Sequence, residues 1–168
     1  MILKLESGQV FAQGSCSFSD NLYNTDGETP RIFINIKIQD SQIPVVLDTG
    51  GFYLILHPQY EDVIDFENFT KVELEKPIRI RGEIFKGDLY KLPIEIPSEI
   101  KGRGLEVEVT VFLPCDSEVW RNMPNFMGYM GCLEFMRFAV DPDSNTFYFG
   151  PIEEKIVNDI KQLHLTAD

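Results

Sequence analysis

The sequence predicts an all-β domain closed by a single C-terminal helix. Three observations carry the expectation. Between Arg31 and Gln39, Ile32, Ile34, Ile36 and Ile38 alternate with polar residues, the period of a strand with one buried face. Leu105–Leu113 alternates in the same way with acids on one side, as an antiparallel strand wet on one face does. Only Pro151–Leu163 has helical spacing: Ile152, Ile156, Ile160 and Leu163 form a stripe behind a proline suited to a first helical turn. At 168 residues with 43% apolar content, the chain fits one globular domain with a proper core. Within it, residues 1–29 read as N-terminal strands and a loop, 30–150 as the core, and 151–168 as helix and tail.

Taken in order, Met1–Leu5 and Gln9–Ala12 are short apolar runs separated by Ser7-Gly8, suited to edge or dimer strands. Asn21–Thr29 is polar and turn-rich, the expected loop before the core. Arg31–Gln39 and Gln42–Leu47 form a hairpin turned at Asp40 and Ser41. Phe52–Leu56 is a further apolar run, whereas the acidic stretch Glu61–Glu75 has no clear period. Ile78–Ile96 alternates strongly and is broken by Gly82 and Gly87, which reads as a glycine-tipped hairpin entering a longer strand. Phe126–Asp141 is apolar around its glycines and runs into Asn145–Gly150, a final hairpin turned by Pro142–Asn145.

The chemistry concentrates at Ile43-Pro-Val-Val-Leu-Asp48-Thr49-Gly50-Gly51. An apolar strand here delivers one carboxylate into a tight turn, and a carboxylate beside buried strand is costly unless hydrogen-bonded or paired. Asp48 is therefore a satisfied turn residue or a reactive acid; Asp, Thr and Gly are all ordinary in turns. The surroundings are more specific. A hairpin feeds Asp48-Thr49-Gly50, a glycine-tipped hairpin follows, and the apolar segment Tyr129-Met130-Gly131 comes later. In this order the chain resembles the retropepsin-like aspartic proteases, the single-domain Asp-Thr-Gly relatives of pepsin, over about Arg31 to Gly150.

The resemblance implies an acid-protease β-barrel and a peptidase that cleaves extended peptides or proteins. Such hydrolysis needs two carboxylates sharing one proton, because like charges a few ångströms apart cannot both ionise. Only one Asp-Thr/Ser-Gly is present, since Asp116-Ser117 is followed by Glu118 and Asp143-Ser144 by Asn145. The second acid must then come from a second copy across a two-fold axis, as a homodimer. By resemblance, Asp48 is catalytic, Thr49 braces the loop across the dimer, and Gly50 lets the turn close. Gly131 would leave room where the second apolar strand crosses behind the loop. Arg81, Gly82, Glu83 and Ile84 would form the tip of a flap over the substrate. Three features depart from the family pattern: Gly51 replaces a small alanine or serine, Leu133 stands where an acid is frequent, and the chain ends in a helix where many members have an interleaved strand.

Other chemistries lack their residues. A net charge of −12 argues against a nucleic-acid surface, and the close basic pairs Arg79/Arg81 and Lys101/Arg103 fit solvated strands and turns. No stretch is long or apolar enough to span a membrane, and Met1–Ser7 lacks the start of a secretory signal. Cys16, Cys115 and Cys132 cannot all pair and have no Cys-x-x-Cys spacing, so each reads as a small buried thiol in a cytoplasmic protein. The two histidines, His57 and His164, belong to no metal or nucleophile motif, and no metal or cofactor is expected. The alternative to an enzyme is a catalytically silent binding or scaffold module on the same fold.

Overall fold

The computed structural model describes residues 3–19 and 31–152. The loop expected at Asn21–Thr29 lies outside them, as does the expected helix beyond Ile152. Pro151 itself is the last residue of a strand, paired with Met136, and not part of a helical turn. Its fixed φ suits an extended end as well as a first helical turn, and at a strand end the missing N–H costs little.

Among the described residues, eleven strands form two sheets. The larger contains β2 (Phe33–Ile38), β3 (Ser41–Phe52), β4 (Leu54–Ile55), β5 (Thr70–Ile80), β6 (Glu83–Ile96), β8 (Leu105–Pro114) and β9 (Phe126–Met130). Its order is β2-β3-β9-β4-β8-β6-β5, and a single bridge, Lys37 with Glu95, joins β2 to β6. The expected closed barrel is not seen among the described residues: that bridge brings β2 against β6, one strand in from the β5 edge. The smaller sheet has the order β10-β11-β1-β7, from β1 (Gly14–Ser17), β7 (Lys101–Gly102), β10 (Met136–Asp141) and β11 (Thr146–Pro151).

The isoleucine alternation does what the sequence asks of it. Ile34, Ile36 and Ile38 are fully buried and Lys37 is exposed, so the face of β2 toward the core is the apolar one. β2 pairs with β3 antiparallel from Phe33↔Val46 to Ile38↔Ser41, around a turn in which Gln39 takes a positive φ of 53°. β8 keeps its wet face only in its first half: Glu106 and Glu108 are exposed, but Val111–Pro114 are all buried because β4 and β6 flank it on both sides. At the N-terminus the expected pair of edge strands is one bridge, Lys4↔Val10, and the true strand is Gly14–Ser17, packed into the small sheet.

Two apolar clusters hold the sheets. The larger runs from Cys16, Phe147 and Phe149 of the small sheet to Ile34, Leu54, Leu92 and Val111 of the large one. The smaller joins Phe33, Val46, Ile55, Phe85, Leu89, Phe112, Trp120 and Phe126. Trp120 ends the one-turn helix α1 (Ser117–Trp120), capped by Asp116, whose carboxylate accepts from the N–H groups of Glu118 and Val119. Its ring meets Phe85 edge-on at 5.2 Å and Phe126 at 6.2 Å. This second cluster is the floor of the site.

Candidate active site

Asp48 sits where β3 changes partners. Val46, Leu47 and Asp48 run parallel to Phe126, Met127 and Gly128 of β9, and after an irregularity Phe52 pairs with Met130. Four residues, Asp48 to Gly51, therefore arch over β9 and place the carboxylate at the top. The arch is tied on both sides. Gly128 N–H donates to Tyr53 O at 2.8 Å, and Tyr53 N–H to Met130 O at 2.6 Å. Below, Val46 N–H donates to Asn125 O and Leu47 N–H to Ile32 O, each at 2.9 Å. Asp48 Oδ1 accepts from Gly50 N–H at 3.2 Å, a closed turn that fixes the carboxylate in place.

The glycines divide the work differently from the sequence expectation. A side chain at Gly128 would meet Tyr53 O at 2.6 Å, Phe52 C at 2.7 Å and Gly51 C at 2.9 Å. Gly128 is thus the residue that lets the strand pass behind the arch. Gly131, given that task from the sequence, lies instead against the Tyr53 ring and Thr110, with φ at +81°. The apolar-apolar-glycine pattern occurs at Phe126-Met127-Gly128 as well as at Tyr129-Met130-Gly131, and only the register of β9 against β3 separates the two. Gly51 has its own consequence: a β-carbon there would stand 2.7 Å from Asp48 Oδ2. The carboxylate occupies space that an alanine or serine would take.

A cleft of about 640 Å³ opens beside Asp48. Its floor is Val46, Ile55 and Phe126; its wall is Arg31, Ile32, Gly50, Gly51 and Phe52; its roof is Ile78, Arg79, Ile80 and Arg81. The roof belongs to the hairpin of β5 and β6, which turns through Arg81 and Gly82, both at positive φ (50° and 89°). Two successive positive φ values make the tight turn preferred between twisted strands. Of the tip residues expected to cover a substrate, Arg81 lines the cleft, whereas Gly82, Glu83 and Ile84 do not. The arm that faces Asp48 is the preceding one, Ile78–Ile80. Arg79 and Arg81, which the sequence places on solvated strand, stand at the cleft.

Among the described residues that line this cleft, Asp48 is the only carboxylate. Glu134, the nearest acid in sequence to Gly131, is occupied elsewhere: its Oε1 accepts from Gly131 N–H at 2.6 Å. Thr49 and Gly50 are exposed, and around them Phe52, Tyr129 and Met130 leave 50%, 49% and 42% of their surfaces open. Sequence reasoning also missed Asn125, which is 4% exposed. Its Oδ1 accepts from His57 N–H at 2.7 Å and its Nδ2 donates to Pro44 O at 2.9 Å. An asparagine before an apolar run carries no signal of such a role.

The described residues contain no group of three His, Cys, Asp or Glu side chains able to hold a metal ion, and no helix among them is long and apolar enough to cross a membrane. Cys16 and Cys132 are buried and free, and burial pushes the Cys16 thiol up to about 12 and Cys132 higher still. Cys115 corrects the expectation of three buried thiols, since it lies exposed just past the end of β8.

No protein-family profile matches the chain, and no curated protein matches it. Among solved structures the chain is similar to a retropepsin-like aspartic protease from Rickettsia conorii, at 19% identity and a TM-score of 0.47, over 82% of this chain and 98% of that one.

Proposed function

We propose that the protein is an aspartic endopeptidase, a single-domain hydrolase whose catalytic pair is two Asp48 carboxylates, one from each chain of a homodimer. The observation that carries the reading is the arch itself: a lone carboxylate, braced by Gly128 behind it, opening into a peptide-sized cleft under a hairpin. In such a pair one carboxylate is ionised and the other protonated. The ionised one takes a proton from a water whose oxygen adds to the peptide carbonyl carbon, while the protonated one gives its proton to the carbonyl oxygen, so that the tetrahedral product is a neutral diol and the pair again holds one proton. Collapse of the resulting diol breaks the C–N bond, with the proton passing to nitrogen. Thr49, Gly50 and Gly51 hold the acid, Ile78–Arg81 cover the substrate, and Gly82, Glu83 and Ile84 form the tip that must lift to admit it.

The dimer is supported by inventory and by surface. Among the described residues no second carboxylate lines the cleft, and the exposed apolar rim of Phe52, Tyr129 and Met130 lies beside the arch where a two-fold partner would dock. The test is cleavage of an unbiased peptide mixture by the full chain, read by mass spectrometry, with Asp48→Asn as control and a dilution series. Cleavage should fall about 10³-fold in Asp48→Asn at unchanged melting temperature, and specific activity should drop once dilution splits the dimer. Equal cleavage by Asp48→Asn, or full specific activity in a species that sediments as a monomer, refutes the two-chain pair. Binding of peptides without any turnover would establish the silent module.

A further inference from the structure

The cleft beside Asp48 is basic in a strongly acidic chain. Among the described residues, Arg31, Arg79 and Arg81 line it against a single carboxylate, although the net charge is −12. Two of the three converge on one ring: the guanidinium carbon of Arg31 stands 5.9 Å from the centre of Phe126, and that of Arg81 stands 5.8 Å from the same point. Arg79 Nη1 donates to Gly82 O at 3.1 Å, tying the third guanidinium to the hairpin tip. Among the described residues none of the three forms an ion pair; the ion pairs present are Lys71–Asp88 and Lys76–Glu73. An arginine packed on an aromatic face keeps its N–H fork free to bind a carboxylate in a bidentate manner.

We infer that the cleft selects peptides carrying a carboxylate close to the bond to be cut, bound between Arg31 of the wall and Arg81 of the roof over Phe126. This rests on the peptidase reading of the same cleft and names its substrate class. The position follows from strand geometry. Phe126 lies level with Val46, two residues before the Asp48–Gly128 pair. At about 3.3 Å per residue, two residues along a strand is roughly 7 Å, the repeat of same-face side chains in an extended peptide. The selected carboxylate therefore sits about two residues from the scissile bond. Because one arginine is on the wall and the other on the roof, the acidic peptide also bridges them and favours the closed hairpin.

The test separates this preference from catalysis by using full-length Asp48→Asn protein and fluorescence anisotropy of labelled seven-residue peptides. Four peptides share an apolar background: one with internal Glu and an amidated end, the same with Gln, the same with Lys, and the Gln peptide with a free C-terminal carboxylate. The internal Glu peptide should bind about tenfold more tightly than the Gln peptide, as charge-assisted bonds do, with Lys weakest. The preference should vanish in Arg31→Gln and in Arg81→Gln and shrink with added salt. Tight binding of the free-end peptide alone would assign the carboxylate to the chain terminus, hence to an exopeptidase-like mode. Equal affinities for Glu and Gln overturn the inference. So does an arginine variant that weakens dimerisation in sedimentation but leaves the Glu preference intact, since the arginines then serve the partner subunit. Wild-type cleavage is scored separately: a Glu preference without cleavage refutes only the peptidase reading, and cleavage without a Glu preference refutes only this one.

Discussion

Replacing Gly128 by alanine tests whether the carboxylate is positioned by the strand behind it. The added methyl carbon would meet three backbone atoms of the arch, Tyr53 O, Phe52 C and Gly51 C, at 2.6–2.9 Å, against an ordinary contact distance of 3.4 Å or more. None of these is a side-chain end that can rotate away, so the arch must rise by about 0.5–0.8 Å. Overpacking of this kind costs about 1–3 kcal/mol, which for a domain of this size lowers the melting temperature by roughly 3–10 °C. A shift approaching 1 Å in a catalytic group costs up to about 10²-fold in rate, so kcat/KM should fall by roughly 10–100-fold. Gly131→Ala is the control. Its new methyl would meet the Tyr53 ring at 2.9 Å and Thr110 Cβ at 3.2 Å, looser than the backbone contacts at Gly128, although φ of +81° adds strain of about 1–2 kcal/mol. It should lose stability while keeping activity within a few-fold. Thermal melts and peptide hydrolysis on both variants decide the matter. Gly128→Ala with wild-type kcat/KM and melting temperature, or a larger activity loss in Gly131→Ala, would show that β9 does not set the position of Asp48.

Two further outcomes follow from the same structure. Asn125→Ala should cost about 2–3 kcal/mol, since it leaves His57 N–H and Pro44 O without partners. The melting temperature should drop while the exposed surface and net charge stay unchanged, and an unchanged melt would mean that water replaces the amide. Of the three thiols, only exposed Cys115 should react with an aromatic disulfide reagent at pH 8 in the native protein. Cys16 and Cys132, whose burial disfavours the thiolate, should react only after unfolding, and two or more rapid equivalents would contradict that burial.

The parts legible in the sequence are those with a short period. Ile34, Ile36 and Ile38 announce β2 by alternation alone, and Asp48-Thr49-Gly50 announces the arch because so few residue types fit a turn at the end of a buried strand. The choice between Gly128 and Gly131 was not legible. Both follow two apolar residues, and which one passes behind the arch is fixed by a parallel pairing between residues 46–48 and 126–128, about eighty positions apart. The cleft arginines were illegible for the same kind of reason. Arg79 and Arg81 alternate with Ile78 and Ile80 as on any edge strand, and only the fold of the hairpin over Phe126 brings them to the cleft. Cys115 misled because its neighbours Leu113 and Pro114 are buried and β8 ends just before it.

Base and roof of the cleft are built to opposite standards, and this bears on how the site would work. The arch is anchored at its two ends to β9, by the Asp48–Gly128 and Phe52–Met130 pairings, and β9 itself lies between β3 and β4. A reacting carboxylate benefits from that fixity, because stabilisation of developing charge is greatest when the group need not reorganise. The roof is the reverse. β5 is an edge strand paired only with β6, no residue of it is buried, and its pairing is interrupted around Glu73 and Glu75, the latter at a φ of 48°. The side chains near its tip that reach the floor are Ile78 and Ile80, which pack on the cluster containing Trp120 and Phe126, beside Phe85 of β6 and Arg81 over the Phe126 ring. An outer arm with no fully buried residue can shift at a smaller loss of buried area than a central strand. On the proposed peptidase reading, substrate entry would disturb the roof and leave the carboxylate where it is, which is the division of labour a covered hydrolytic site requires.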